Sequence, residues 1–504
     1  MIDRLPDLQS QEKEPLQDAC GIVGVLSSKD IRLSRIGLAG LEKLQTRGYD
    51  AAGYAGLRSD GSVLFHKAQG TISEVFTPGV AAKLDENSFY HGQWQVRYGT
   101  SGRFSPENVQ PFITRHASTG DLFTVSHNGQ FSKKRGENNN GVSDTMGFVR
   151  RLAQSEEKTW DKRIINTLAQ EKGAWSLIIG VKDHMYIARD PLGIRPLYFS
   201  QKSDESGGHI TMAASETEAL SAAGFTSFKE VLPGQIVKFN KQNPSYTVTR
   251  ISESNCSAHC MFENVYTLDE KGKILAPRKN QESVNASFSV REIRERSGKQ
   301  LAIEAPINPS EVDFVIGIPG TGITGGEAYA KALGIPYCQA IRDKNTPGKE
   351  QRTFMQAQIE GILKKVQEHF NYDYETLSGK RVVLVDDSIV RGNVSKGLVD
   401  LLKKYYGVRE VHFKVLCPPI DKKCHLGVNT QTHAELIAHK FLASTNNYDE
   451  LIESIREEVG ADSLSYLSVD GLLFAVTGDS HAEGFCMGCM LGRKHPIDQY
   501  GVHS

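Results

Sequence analysis

The sequence predicts an α/β (α+β) protein of two domains: a strand-rich half of stacked antiparallel sheets, then a doubly wound parallel sheet. Three observations point there. The chain is 504 residues long, and single cores seldom grow that large. Between about residue 85 and residue 240, short apolar runs are broken by Gly, Asn and Pro, the texture of antiparallel strands with helices laid on them. Beyond about residue 250, apolar strands alternate with helical patterns, which argues for a parallel sheet.

The elements follow in order. CGIVGVL from Cys20 reads as a buried strand, and IRLSRIGLAGLEKLQTRG as a helix closed by Gly48. Strands are expected at Leu122 to Val125, in SLIIGV at Ser176 to Val181, and in HMYIARDPLGIRPLYFS. ENNNG at Glu137 to Gly141 reads as a loop. The polar, turn-rich stretch FNKQNPSYTVTRISESN marks the boundary between domains of residues 20–250 and 251–504. In the second domain DFVIGIP runs through a Gly-rich turn into GGEAYAKALG. KRVVLVDDS leads to SKGLVDLLKKYYG, where Leu398, Leu401, Leu402 and Tyr405 share a helical face and Gly407 is the stop.

Composition narrows the function. Lys and Arg total 59 against 60 Asp and Glu, a formal charge of −1, so nothing draws the chain to nucleic acid or an anionic membrane. No apolar run approaches the ~20 residues of a membrane helix. The charged opening MIDRLPDLQSQEKEPLQDA is unlike a secretory signal. A cytoplasmic location is therefore expected. The eight cysteines then read as thiols, thiolates or metal ligands rather than disulfides.

The sharpest local signal is Val382-Val383-Leu384-Val385-Asp386-Asp387-Ser388-Ile389-Val390-Arg391-Gly392. An apolar strand delivers two carboxylates to its C-terminal end, where open α/β sheets bind ligands. The next helix N-terminus offers backbone N–H groups to an anion. Together they suit a sugar phosphate; the plainer reading is that the two aspartates cap the next helix. Gly320 to Gly325 also fits G-x-G-x-x-G, with Asp343 roughly 20 positions on, though within a segment that reads as a loop. Cys486-Met487-Gly488-Cys489 is a C-x-x-C pair, which alone fits zinc, an iron–sulfur cluster or a redox couple.

LVDDSIVRG closely resembles the phosphoribosyl pyrophosphate signature of type I phosphoribosyltransferases. CGIVG at Cys20, RGYDAAG at Arg47, RYGTSG at Arg97, SHNG at Ser126 and SDT at Ser143 resemble N-terminal-nucleophile glutamine amidotransferases, as do ARDPLGIRPLYF at Ala188 and ASETEAL at Ala214. In this order the two sets resemble the amidophosphoribosyltransferase family, over nearly the whole chain after residue 19, and Cys260, Cys424, Cys486 and Cys489 resemble the ligand positions of its iron–sulfur branch.

The resemblance implies a four-layer αββα glutaminase domain, a propeptide of residues 1–19, and Cys20 as the mature N-terminal nucleophile. A free α-amine, with a reference pKa of about 8, would serve as base for its thiol. Asn128 and Gly129 would supply oxyanion donors, Arg97 would pair with the glutamine α-carboxylate, and Asp144 would hold its α-ammonium. Asp386, Asp387, Ser388, Arg391, Gly392 and Asn393 would bind the phosphosugar. Thr321, Asp386 and Asp387 would hold Mg2+. Cys260 and Cys424 would join Cys486 and Cys489 around a structural [4Fe–4S] cluster, while Cys256, Cys338 and Cys417 match nothing and read as ordinary thiols. The implied substrates are glutamine and phosphoribosyl pyrophosphate, with purine nucleotides as feedback ligands and a homo-oligomer, dimer or tetramer, as the working form.

The chain departs from the family pattern mainly in the transferase half. Asn393 and Val394 stand where Thr-Thr is usual. Pro319-Gly320-Thr321-Gly322 replaces a loop that normally carries Asp and Ser. The segment from Lys344-Asn345 to Arg352-Thr353-Phe354 is longer than usual and lacks an Arg-Tyr pair. In the glutaminase half, Thr46 stands where His or Tyr is usual, and Gln95-Val96 replace His-Thr. Two rival readings follow: a paralogue aminating another activated phosphosugar, and a regulatory, non-catalytic homologue.

Overall fold

The computed structural model describes residues 20–97, 106–132, 143–204, 207–251, 257–275, 287–344, 370–428, 430 and 432–496. The propeptide, the Glu137–Gly141 loop, Cys256 and the Asn345–Phe354 stretch lie outside them.

Two antiparallel sheets form the first half. One has seven strands, in which Gly21–Ile31 lies between Phe89–Arg97 and His209–Ala214. The other has six, centred on Leu122–Phe131, Gly173–Val181 and His184–Arg189. Side-chain alternation divides the apolar residues among three layers of core. Ile22, Leu26, Ile178 and Ile187 meet between the sheets. Val23, Val25 and Trp94 face outward under helices Ser34–Glu42 and Thr217–Ala222. Leu177, Ile179 and Val181 face outward on the other side, under Asp144–Ala153 and Trp160–Leu168. The result is the expected αββα stack.

The second half has a sheet of four parallel strands: Phe314–Gly317, Arg381–Asp386, Glu410–Val415 and Ser463–Tyr466. Helices Val290–Glu304 and Gly322–Leu333 pack together beside the first two strands, and Asn393–Lys404 and Tyr448–Val459 beside the last two. Among the described residues no helix is long and apolar enough to cross a membrane.

Several expectations need correction. The first strand runs on to Ile31, which pairs with Phe89 past a bulge, so the helix is shorter than its apolar pattern suggests and a 3-10 turn, Gln45–Arg47, follows it. The polar boundary stretch contains the edge strand Asn243–Arg250, mostly exposed and paired on one side only; exposure on an edge explains its polarity. Asp343 ends a strand, Ile341–Asp343, that pairs antiparallel with Phe370–Tyr372 outside the parallel sheet. The second strand of a dinucleotide-binding unit is thus not at Asp343. Asp386 and Asp387 do not cap the following helix, which starts at Asn393 with Gly392 as its N-cap.

Candidate active sites and cysteine cluster

Strand pairing sets the first site. Gly21 pairs with Val96, and Ala51 pairs with Arg97, so Cys20, just ahead of the strand, lies alongside Arg97. The turn after Arg47 presses on the same place: a Cβ on Gly48 would stand 2.5 Å from the Arg97 carbonyl carbon. Two buried hydrogen bonds tie the sheets together here. Ser126 Oγ donates to Gln93 Oε1 at 2.9 Å, and Gln95 Nε2 donates to the His127 carbonyl at 2.9 Å. They bring Asn128 and Gly129 to the Cys20 end of the sandwich.

Asn128 is fully buried, yet neither its Nδ2 nor its Oδ1 has a hydrogen-bond partner. Leaving both atoms unmatched is costly, and an amide with a free donor is what a developing oxyanion needs. Gly129 has φ +130°, and a Cβ there would stand 2.1 Å from the Ala174 carbonyl oxygen. Asp144 opens its helix and accepts from the Phe131 N–H at 2.7 Å, holding its carboxylate beside the strand that carries Asn128. His127 Nδ1 lies 2.8 Å from Thr145 Oγ1, and burial pushes this imidazole down to about 4.

The second site lies at the carboxyl ends of the two neighbouring parallel strands Phe314–Gly317 and Arg381–Asp386. Their pairing brings the turn at Thr321 against Asp387, and Thr321 Oγ1 donates to Asp387 Oδ2. Ser388 Oγ donates to Asp387 Oδ1 at 2.8 Å. Burial and mutual repulsion raise the Asp386 carboxyl well above its ordinary value. Burial also raises Asp387, opposed by Thr321, Ser388 and the Arg294 guanidinium. Gly392, at φ +78°, turns the chain into helix Asn393–Lys404, with Ile437 Cδ1 2.4 Å from where a Cβ would be. Val394, in the first turn, is 44% exposed. Arg391 is drawn aside to Glu435 at 2.8 Å.

The four cysteines converge from three remote segments. Cys260 and Cys486 are register partners in two short parallel strands, His259–Cys260 and Phe485–Cys486. Cys489 has Cys424, Cys260 and Cys486 as electrostatic neighbours. The Leu426 N–H donates to Cys424 Sγ at 3.3 Å. Burial pushes the Cys486 thiol up to about 12. Among the described residues, no three His, Cys, Asp or Glu side chains are placed to hold a single metal ion.

Sequence reasoning missed three side chains. Glu263 is buried between Arg47, at 2.5 Å, and Arg195, at 2.6 Å. Arg294 is buried behind Asp387, and with Asn264, Ser297 and Thr321 it lines a small cavity there. Glu263 stood in view inside HCMFENVY; for Arg294 and Asn264 the sequence carries no signal.

A cysteine at the edge of an αββα sandwich, followed by paired acids at the ends of parallel strands, is the arrangement of a glutamine amidotransferase joined to a phosphoribosyltransferase. Residues 105–222 match the family model of the glutamine amidotransferase domain, and residues 292–433 that of the phosphoribosyl transferase domain. Amidophosphoribosyltransferase of Bacillus subtilis is 34% identical over 97% of this chain and 96% of its own length. The human one is 33% identical over 96% and 93%. The solved glutamine phosphoribosylpyrophosphate amidotransferase of B. subtilis, complexed with ADP and GMP, superposes with a TM-score of 0.76, at 31% identity, over 94% of this chain and 97% of that one. This chain belongs to the amidophosphoribosyltransferase family.

Proposed function

We propose that this chain moves nitrogen from glutamine to C1 of phosphoribosyl pyrophosphate, giving 5-phosphoribosylamine, glutamate and pyrophosphate, the first step of de novo purine synthesis. The observation that carries the reading is the enclosed, unpartnered Asn128 amide at the Cys20 end of a chain that follows its relatives along nearly their whole length.

The chemistry divides between residues 20–250 and residues 251–504. Once residues 1–19 are removed, the α-amine of Cys20 takes the proton of its own thiol. The thiolate adds to the glutamine carboxamide; Asn128 and Gly129 hold the oxyanion; ammonia leaves, and water hydrolyses the thioester. Arg97 takes the substrate α-carboxylate and Asp144 its α-ammonium. Ammonia then attacks C1 and pyrophosphate departs. Asp386 and Asp387 orient the ribose hydroxyls, while Ser388, Gly392 and Asn393 bring the start of a 12-residue helix to the 5-phosphate. Arg391, held by Glu435, braces that turn.

A buried and a half-buried carboxylate with one guanidinium behind them are short of positive charge, and an all-oxygen donor set suits a hard cation. Mg2+, held by Thr321, Asp386 and Asp387, would balance the charge of the departing pyrophosphate. Cys489, with Cys424, Cys260 and Cys486 as neighbours, gathers the four cysteines that match the ligand set of the family's iron–sulfur branch, and a [4Fe–4S] cluster is the metal group that this resemblance favours over zinc. It would clip the C-terminal tail to the segments of Cys260 and Cys424. Purine nucleotides as feedback ligands, a dimeric or tetrameric assembly and a cytoplasmic location complete the reading; the B. subtilis relative holds ADP and GMP.

Glutamine-dependent release of pyrophosphate from phosphoribosyl pyrophosphate tests it. Cys20→Ala should abolish the reaction with glutamine and spare the reaction with ammonia. Equal loss of both would contradict the division of labour.

A further inference from the structure

Strand Leu122–Phe131 carries Asn128 and Gly129, and its two edges differ. On one side it pairs with Gly173–Val181 from Phe123 to Phe131. On the other, Phe112–Arg115 reaches only as far as Val125, which faces Phe112. Among the described residues no strand lies beside that edge from His127 onward. Alternation along an antiparallel strand turns the backbone groups of His127, Gly129 and Phe131 to this open edge together.

Side chains fill the place of the missing strand. The His127 N–H donates to Gln110 Oε1 at 2.8 Å, and its carbonyl accepts from Gln95 Nε2 at 2.9 Å. Beyond Gly129, the Phe131 N–H donates to Asp144 Oδ2 at 2.7 Å. Gly129 thus lies between two fastened residues, with its own N–H turned to the same edge. The fastenings are joined to each other. Gln110 Nε2 donates to Thr145 Oγ1 at 3.3 Å, and the Thr145 N–H donates to Asp144 Oδ1 at 2.8 Å. The His127 ring stacks on Phe131, 4.5 Å between centroids.

Gln95 reaches this edge from the other sheet, where it pairs with Ile22, just after Cys20. It is 1% exposed, and its Oε1 meets no partner among the described residues. A buried amide matched on one side only costs more than an apolar side chain of the same length. What the amide alone provides is a donor to the His127 carbonyl, one peptide ahead of Asn128. That bond fixes the sheet of Cys20 against the strand of Asn128 and Gly129.

We propose that Gln95 and Gln110 are positioning residues whose side-chain amides replace a strand at His127 and hold the Asn128–Gly129 pair in register with Cys20. This clamp rests on the glutaminase reaction proposed above. Neither amide meets the substrate, so their loss should appear in kcat and leave glutamine binding nearly intact.

The test uses the full chain, with Gln95→Met, which keeps the length and loses the donor, and Gln95→His, which restores an N–H donor. In Gln95→Met the kcat for glutamine hydrolysis should fall about 10²-fold, as for a group misplaced by ~1 Å, with KM within about threefold. An aldehyde analogue of glutamine places negative charge on its carbonyl oxygen when the Cys20 thiolate adds to the carbon. Its affinity should fall by the same factor as kcat, and that of glutamate should not. Gln95→His should regain most of the lost rate. Ammonia-dependent pyrophosphate release should be unchanged in both variants. Should Gln95→Met fail to fold, Gln110→Met, which removes the acceptor of the His127 N–H, is read by the same measurements.

A merely structural role would raise KM along with the loss in kcat, or weaken glutamate and the aldehyde alike. Either result overturns the clamp, as does an undiminished kcat or a Gln95→His variant no faster than Gln95→Met. Glutamine hydrolysis without pyrophosphate release from either nitrogen source would overturn the proposed transfer reaction, and the clamp is then still judged by the hydrolysis rates. No hydrolysis by the unmodified protein lacking residues 1–19 overturns both.

Discussion

Asn128 and Gly129, the proposed oxyanion donors, rest on two different properties of adjacent residues. The Asn128 side chain is enclosed among residues that offer it no partner, so its desolvation is already complete before substrate arrives. Gly129 supplies the backbone shape: at φ +130° a side chain is strained, and the Ala174 carbonyl occupies its place. Gly129→Ala should therefore displace the strand and lower glutamine-dependent kcat by about 10²–10³-fold, the usual cost of losing an oxyanion donor. Ammonia-dependent turnover of the same variant should be little changed. Loss of both reactions would mean that the damage spreads beyond the site.

Among the elements, helix Asn393–Lys404 opens on a departure from the family pattern. Its backbone still presents free N–H groups, but Val394 offers none of the hydroxyl chemistry usual there. A hydrogen bond to a charged group is worth ~1.5–3 kcal/mol. The double change Asn393→Thr with Val394→Thr should then tighten phosphoribosyl pyrophosphate binding by about ten- to a hundredfold, measured by titration with Mg2+ present. Unchanged or weaker binding would mean that the pocket is built for a different phosphosugar. The sandwich strands make a separate prediction. Burial pushes His91 down to about 3 and His127 to about 4, from ordinary values of 6.5. Below 6.5 the unfolded chain takes up protons that the native fold refuses. Stability is thus complete above that pH and drains away as pH falls toward 4. Urea midpoints measured from about pH 7 down to 4.5 should fall steadily; a flat profile would show that the two imidazoles are not held neutral.

Two junctions among the described residues hold distant segments of the chain together. The buried ion network links the sandwich to Glu263. The short parallel strands His259–Cys260 and Phe485–Cys486 join the segment of Cys260 to the tail, where Ile420 also bridges to Met490. Since Cys260 and Glu263 share one short segment, and Arg195 grips the Leu426 carbonyl two residues past Cys424, the two junctions brace each other. Cys486→Ser should lower soluble yield roughly tenfold, because metal binding and folding are coupled at such sites. The protein that survives should keep its ratio of glutamine- to ammonia-dependent rates. Iron and acid-labile sulfide should accompany the unmodified protein purified without air; colourless protein with stoichiometric zinc would rule the cluster out.

Local pattern alone carried both layers of the architecture. Alternating apolar residues made the strands of the sandwich legible, and Val382 to Asp387 read as a strand ending in acids because both features are contiguous. The ordered motifs likewise identified Cys20, Arg97, Asn128 and Asp144 as candidates. What the sequence could not reveal is whatever depends on partners remote along the chain. The edge strand Asn243–Arg250 reads as a polar, turn-rich boundary because it is mostly exposed and paired on one side only. Asp343 reads as loop because its partner strand begins at Phe370, beyond reach of any local pattern. A lone arginine on a helix looks like solvent-facing charge, so Arg294 was invisible until the parallel sheet set Asp387 before it. Nothing local marks Glu263 as buried; only the docking of two folds placed two arginines around it. Charges can be buried only where folding has gathered their counter-charges, and that gathering is decided in three dimensions.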